Sequence, residues 1–188
     1  MGTKSLYGYN ALPATMEGID LSKYSLEDLI LLGIKSEEVA KEVYENVAKQ
    51  AKNPFLKNKL KALAEEEDRH RAILVELYKD LFNGKEPEPP ENPDFIPEFP
   101  EIRIFREIGE TTDIRKVLEG AMQAELSAKE YYEGIAEIVK DARIKRIMRY
   151  MGKIEEGHYK ILKQQYEEIV EFESVMYDEE FMRLDSRF

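Results

Sequence analysis

Residues 60–74 read LKALAEEEDRHRAIL and residues 151–162 read MGKIEEGHYKIL. In the first stretch Leu60, Leu63, Glu67, His70 and Leu74 follow in steps of three and four, the spacing that keeps residues on one face of an α-helix. A carboxylate and an imidazole interrupt the apolar stripe without leaving it. Met151, Glu155, His158 and Leu162 repeat the arrangement in the second stretch. A displacement of 88 residues lays Glu67 on Glu155, His70 on His158, Ile73-Leu74 on Ile161-Leu162 and Tyr78 on Tyr166. The same displacement, without a gap, lays Glu37-Glu38-Val39-Ala40-Lys41-Glu42-Val43-Tyr44-Glu45 on Glu125-Leu126-Ser127-Ala128-Lys129-Glu130-Tyr131-Tyr132-Glu133. Residues seven apart differ by only about 20° around a helix, so Glu37 points where Tyr44 points, and Glu125 where Tyr132 points.

Four helices follow from this repeat. Ser25 with Asp28 caps the first, whose apolar positions run through Leu29, Ile30, Ala40, Val43, Tyr44, Val47 and Ala51. Asn53-Pro54 is an N-cap followed by a first-turn proline, and the second helix ends near Asn83-Gly84. The third starts near Thr112 or Asp113. The fourth starts near Asp141, with a short further helix reaching about Leu184. Links of a few residues make each consecutive pair antiparallel. The connection between pairs is about thirty residues, rich in proline, yet Phe95, Ile96, Phe99, Ile102, Ile104 and Phe105 are too apolar for a free linker. The expectation is a single all-α domain over 1–188: a four-helix bundle over about 25–172, a long crossover strap between helices two and three over about 83–111, and a C-terminal extension over about 173–188. Residues 1–24 read as an arm. Tyr7, Tyr9 and the segment Tyr177 to Phe188 are expected to cover a bundle end or a subunit interface.

Both histidines of the chain and four of its acids, Glu37, Glu67, Glu125 and Glu155, thus face one interior. An unpaired buried charge is very costly, and four like charges repel. No lysine or arginine occupies corresponding stripe positions in both halves. Two divalent metal ions balance the four carboxylates by count, with His70 and His158 as neutral ligands. One Glu from each of two helices plus Glu-x-x-His from each of the other two is a dimetal-bundle layout. The expected ligands are therefore Glu37, Glu67, His70, Glu125, Glu155 and His158, with Glu67 and Glu155 bridging and Glu37 and Glu125 terminal. Which of the terminal acids shares an ion with which histidine is left open. Carboxylate-rich sites with one imidazole per ion suit iron or manganese, so two Fe ions are expected, with Mn or mixed Fe/Mn as alternatives. Tyr44 and Tyr132 are candidates for hydrogen bonding to the acids or for local redox work, and equally for packing. Glu66, Glu130, Glu133 and Glu156 read as solvent-facing helix formers.

Composition narrows the field. A formal net charge of -11 argues against nucleic acid as a partner, because phosphate contacts need clustered Lys and Arg. No apolar run approaches a membrane span, and MGTKSLYGYN lacks the apolar core of a secretory signal, so a cytoplasmic protein is expected. The absence of cysteine excludes disulfides and every thiolate-held cluster.

Glu37, Glu67-Asp68-Arg69-His70, Glu125 and Glu155-Glu156-Gly157-His158, with Tyr44 and Tyr132 beyond the first and third acids, resemble the rubrerythrin branch of the ferritin-like superfamily over about residues 25–170. The resemblance implies a ferritin-like bundle, a non-haem di-iron centre that reacts with peroxide or dioxygen, and a homodimer. It implies that Glu37, Glu67, Glu125 and Glu155 act in catalysis as well as in binding. Two features depart from the family's pattern. Rubrerythrins proper carry a further glutamate one turn beyond the helix-three ligand, where this chain has Ala128. They also carry a rubredoxin-like module, which a chain without cysteine lacks, so an external electron-donor protein is implied. The alternatives are an iron-binding ferroxidase without large-scale storage and a helical interaction protein with a vestigial metal site.

Overall fold

Capping fixes where each helix begins. Ser25 accepts from the Asp28 amide while Asp28 returns a bond to the Ser25 amide, closing a capping box. Asn53 accepts from the amides of Phe55 and Leu56, Asp113 from Arg115, and Asp141 from Arg143 and Ile144. These caps open α1 (Leu26–Gln50), α2 (Pro54–Leu81), α3 (Ile114–Ile138) and α4 (Ala142–Asp185) in a computed structural model that describes residues 19–88 and 113–185. The start and end of α1 map onto those of α3, and the start of α2 onto that of α4, by the same 88-residue displacement that relates the motifs. The fold is the all-helical four-helix bundle expected from the sequence.

Three-residue links, Ala51–Asn53 and Val139–Asp141, fold α1 against α2 and α3 against α4 as antiparallel hairpins. Tyr78, near the end of α2, donates a 2.7 Å hydrogen bond to Glu27 in the first turn of α1. Tyr166 on α4 donates at 2.8 Å to Glu119 near the start of α3. The α2 terminus is closed by Asn83 and Gly84, both at positive φ, with the Gly84 amide reaching back to the Lys79 carbonyl. Asparagine and glycine are the residues that adopt this backbone most readily.

α4 differs from expectation at its far end. In place of a separate short helix after residue 172, one helix runs unbroken to Asp185, and no glycine or proline follows Gly157 to interrupt it. At 1.5 Å per residue α4 is roughly 66 Å long against about 42 Å for α2. Most of the expected strap, including Phe95 to Phe105, lies outside the described residues, as do Tyr7, Tyr9 and the final residues of the C-terminal extension. Among the described residues no helix is long and apolar enough to cross a membrane.

The core is split in two. At one end Leu29, Ile30, Leu74, Tyr78, Tyr131, Ile135 and Met148 pack together; at the other Val47, Leu60, Leu63, Leu118, Ala121 and Leu162 do so. Along every helix the ionisable residues singled out above fall between these clusters. Leu74 is completely buried directly beside that polar layer. Leu74→Ala is expected to lower the unfolding free energy by about 2–5 kcal/mol, measured by urea denaturation with helical circular dichroism as the signal; a loss below about 1 kcal/mol would show that this end of the core is loosely packed.

Candidate metal centre

All six expected ligands are buried and converge. His70 turns Nδ1 inward, 3.0 Å from Glu67 Oε2, 3.3 Å from Glu155 Oε1 and 3.5 Å from Glu37 Oε2. His158 does the same from the opposite hairpin: Nδ1 lies 3.0 Å from Glu67 Oε1, 3.3 Å from Glu155 Oε2 and 3.5 Å from Glu125 Oε2. Glu67 and Glu155 thus each direct one oxygen toward each imidazole. Glu37 approaches only His70, and Glu125 only His158, which is the pairing the sequence leaves open. The two rings stack at 5.2 Å between centroids, tilted by 16°.

The tyrosines cross between hairpins. Tyr44 on α1 donates to Glu125 on α3, and Tyr132 on α3 donates to Glu37 on α1. Each terminal acid therefore has one oxygen held by a phenol and the other turned toward an imidazole. Gly33 makes room for this: a Cβ there would stand 3.3 Å from the Tyr132 hydroxyl and 3.0 Å from Leu74 Cδ1. Tyr131 adds a further tie between hairpins through the Leu29 carbonyl.

A narrow pocket with room for a water-sized molecule opens onto the carboxylates between α1 and α3. Its walls come in pairs related by the repeat: Ser36 with Ala124, Glu37 with Glu125, Ala40 with Ala128, and Glu67 with Glu155. The small side chains at 36, 40, 124 and 128 leave the opening, and the four acids form its floor.

Glu66 is a participant that the sequence reading places in solvent. Its Oε2 lies 2.8 Å from Nε2 of His158, the ring nitrogen facing away from the acids. Counting around the helix puts position 66 off the apolar stripe. The signal that could have flagged it is the repeat itself, which fails there by matching Glu66 with Ile154.

The model of the family described as Rubrerythrin matches residues 28–166. The chain belongs to the rubrerythrin family. A solved structure of a hypothetical protein from Pyrococcus furiosus is 35% identical, with a TM-score of 0.67, covering 81% of this chain and 95% of that one. No curated protein matches the chain.

The electrostatics of this rubrerythrin-family site explain its tolerance of so much buried charge. Burial raises Glu37 well above the usual carboxylate range, with Glu155 adding to the effect, and burial with Glu67 does the same to Glu125. Burial also works against ionisation of Glu67, but His158 and His70 outweigh it and bring that carboxyl down to about 2. Glu155 is lowered likewise, burial and Glu67 being overcome by the same two imidazoles. Burial disfavours the imidazolium of His70, yet Glu155, Glu37 and Glu67 push it up to about 12; His158 is raised against burial by Glu125, Glu155 and Glu67. In the metal-free site both imidazoles and the two acids Glu37 and Glu125 are thus biased toward their protonated forms, and Glu67 and Glu155 toward their ionised ones.

This buried Glu/His set fits a dimetal cofactor. One atom each from Glu67, His70, Glu155 and His158 lie within 4.8 Å of one another. Glu67 Oε1, Glu155 Oε1 and His158 Nδ1 are enclosed in the cluster at ion-pair distance from opposing groups, yet none of the three makes an aligned hydrogen bond. Oxygen and nitrogen donors with no sulfur suit iron or manganese. Protons and metal ions compete for the same lone pairs, so affinity must rise with pH. Groups biased toward their protonated forms give up protons when divalent ions bind to them. Calorimetric titration of metal into the metal-free protein, in buffers of differing ionisation enthalpy near neutral pH, should register this release; binding with no proton release would contradict the charge assignment.

Proposed function

We propose that this rubrerythrin-family chain is a non-haem di-iron carboxylate protein that reduces hydrogen peroxide or dioxygen with electrons from an external donor protein. The family and the buried Glu/His motif support an oxidoreductase role, and the size of the pocket over the carboxylates carries the choice of substrate. An opening with room for a water-sized molecule suits a diatomic or peroxide. In this reading Glu37 and His70 would hold one ion and Glu125 and His158 the other, with Glu67 and Glu155 available to both.

The bound ions would supply two electrons and a Lewis-acidic hold on the O–O bond. The chain's own groups supply the rest. Glu67 and Glu155 turn one oxygen toward each imidazole, so each could serve both ions. Tyr44 and Tyr132 hold one oxygen of Glu125 and Glu37 and so orient those two acids. The apolar clusters on both sides limit water to the pocket, which strengthens every electrostatic interaction inside. Peroxide reduction takes two electrons and two protons to give two waters, and solvent can reach the floor of the pocket to deliver the protons. With no cysteine, no thiolate-held relay within the chain can return the electrons.

Reduced, iron-loaded protein should oxidise on mixing with peroxide in a stopped-flow spectrometer. Changes to groups that merely support a metal ligand cost 10–100-fold, so Glu67→Ala or Glu155→Ala should slow the reaction by about 100-fold or more. Unchanged oxidation rates in variants verified to hold iron would defeat the assignment.

A further inference from the structure

Glu66 breaks the two-fold pattern of an otherwise duplicated centre. Its carboxylate, on α2, accepts from Nε2 of His158, on α4, at 2.8 Å. An imidazole that donates from Nε2 keeps the lone pair of Nδ1 for the opposite side, and here Nδ1 is the atom that faces Glu67, Glu125 and Glu155. Glu66 therefore selects the tautomer and the ring orientation that point a ligand atom inward. The repeat puts Ile154 in the corresponding place on α4, and an isoleucine can accept no hydrogen bond. Among the described residues the polar contacts of His70 all run through Nδ1, and no counterpart of Glu66 meets its outer nitrogen.

We infer that Glu66 is a positioning residue that makes the two metal positions unequal, the one shared by His158 and Glu125 holding its ion more tightly than the one shared by His70 and Glu37. The inference rests on the reading of the six residues as ligands of two ions. A carboxylate behind an imidazole fixes the ring before the ion arrives and pushes electron density toward the inner nitrogen. Both effects strengthen the donor. His70 has neither. The Glu66 side chain is 39% exposed, so water screens part of the polarisation while leaving the orientation intact. The four carboxylates are arranged almost identically around both imidazoles, so the difference that Glu66 makes falls on otherwise matched ligands.

Cobalt(II) serves as the probe, because its visible bands report the ligand set at each position. Titrated into the metal-free full-length chain, with bound metal measured by equilibrium dialysis, it should enter in two resolved steps. Glu66→Gln keeps an acceptor for Nε2 but removes the charge, and Glu66→Ala removes both. The tighter step should weaken by about 10–100-fold, more in Glu66→Ala than in Glu66→Gln, while the weaker step stays in place. Ile154→Glu, which offers His70 an outer carboxylate, should tighten the weaker step and draw the two together. Two equal steps in the unaltered protein, or no change on substituting Glu66, would overturn the inference and leave the two-ion reading standing. Fewer than two cobalt ions bound per unaltered chain would overturn both.

Discussion

Four carboxyl groups enclosed in one layer of a helical bundle set the terms for everything around them. Such groups cannot all ionise without cations, and the described residues supply none in that layer beyond two histidines. The remaining structure serves this demand. Tyrosines from the opposite hairpin hold the two acids that are not shared, and an apolar cluster at each end separates the layer from bulk water. The opening is walled by serine and alanine, so little more than a water molecule fits. A bundle of this length could have been filled with leucine at lower cost; the polar layer is retained for what it binds.

Duplication explains how six candidate ligands can be placed with so little sequence. One hairpin contributes an acid from its first helix and an acid with a histidine from its second, and the other contributes the same three. The caps obey the repeat as well: Ser25 matches Asp113 and Asn53 matches Asp141. Departures are therefore informative. Glu66 opposite Ile154 alters the support of one imidazole, and Gly33 opposite Ala121 opens space for one tyrosine hydroxyl. Ala40 and Ala128 keep the pattern, and together they keep the pocket open.

The bundle and the six converging residues were readable in advance because both depend on helical period and on exact repetition. The helix starts were readable from Ser25, Asn53 and Asp141, whose side chains act within a few residues. Contacts between hairpins were not. Nothing in the period of α1 indicates that the Tyr44 hydroxyl meets Glu125 on α3, or that Glu37 faces His70 across its own hairpin, because those choices depend on the rotation of one packed helix against another. Glu66 was missed for a related reason: an off-stripe position reads as solvent until a neighbouring helix brings an imidazole to it. The unbroken run of α4 to Asp185 depended on the absence of a stop signal, which is weaker evidence than the presence of one.

The division of the core by a charged layer has a consequence for the order of assembly. Each hairpin closes over a three-residue link, so its contacts are local and can form quickly. Within an isolated hairpin Glu67 and His70, or Glu155 and His158, are still wet, and their charges cost little. Water is stripped from all six groups only when the hairpins dock. The cost of the charged layer is therefore tied to the interface between the hairpins, where protons or divalent cations would offset it, and not to the helices themselves.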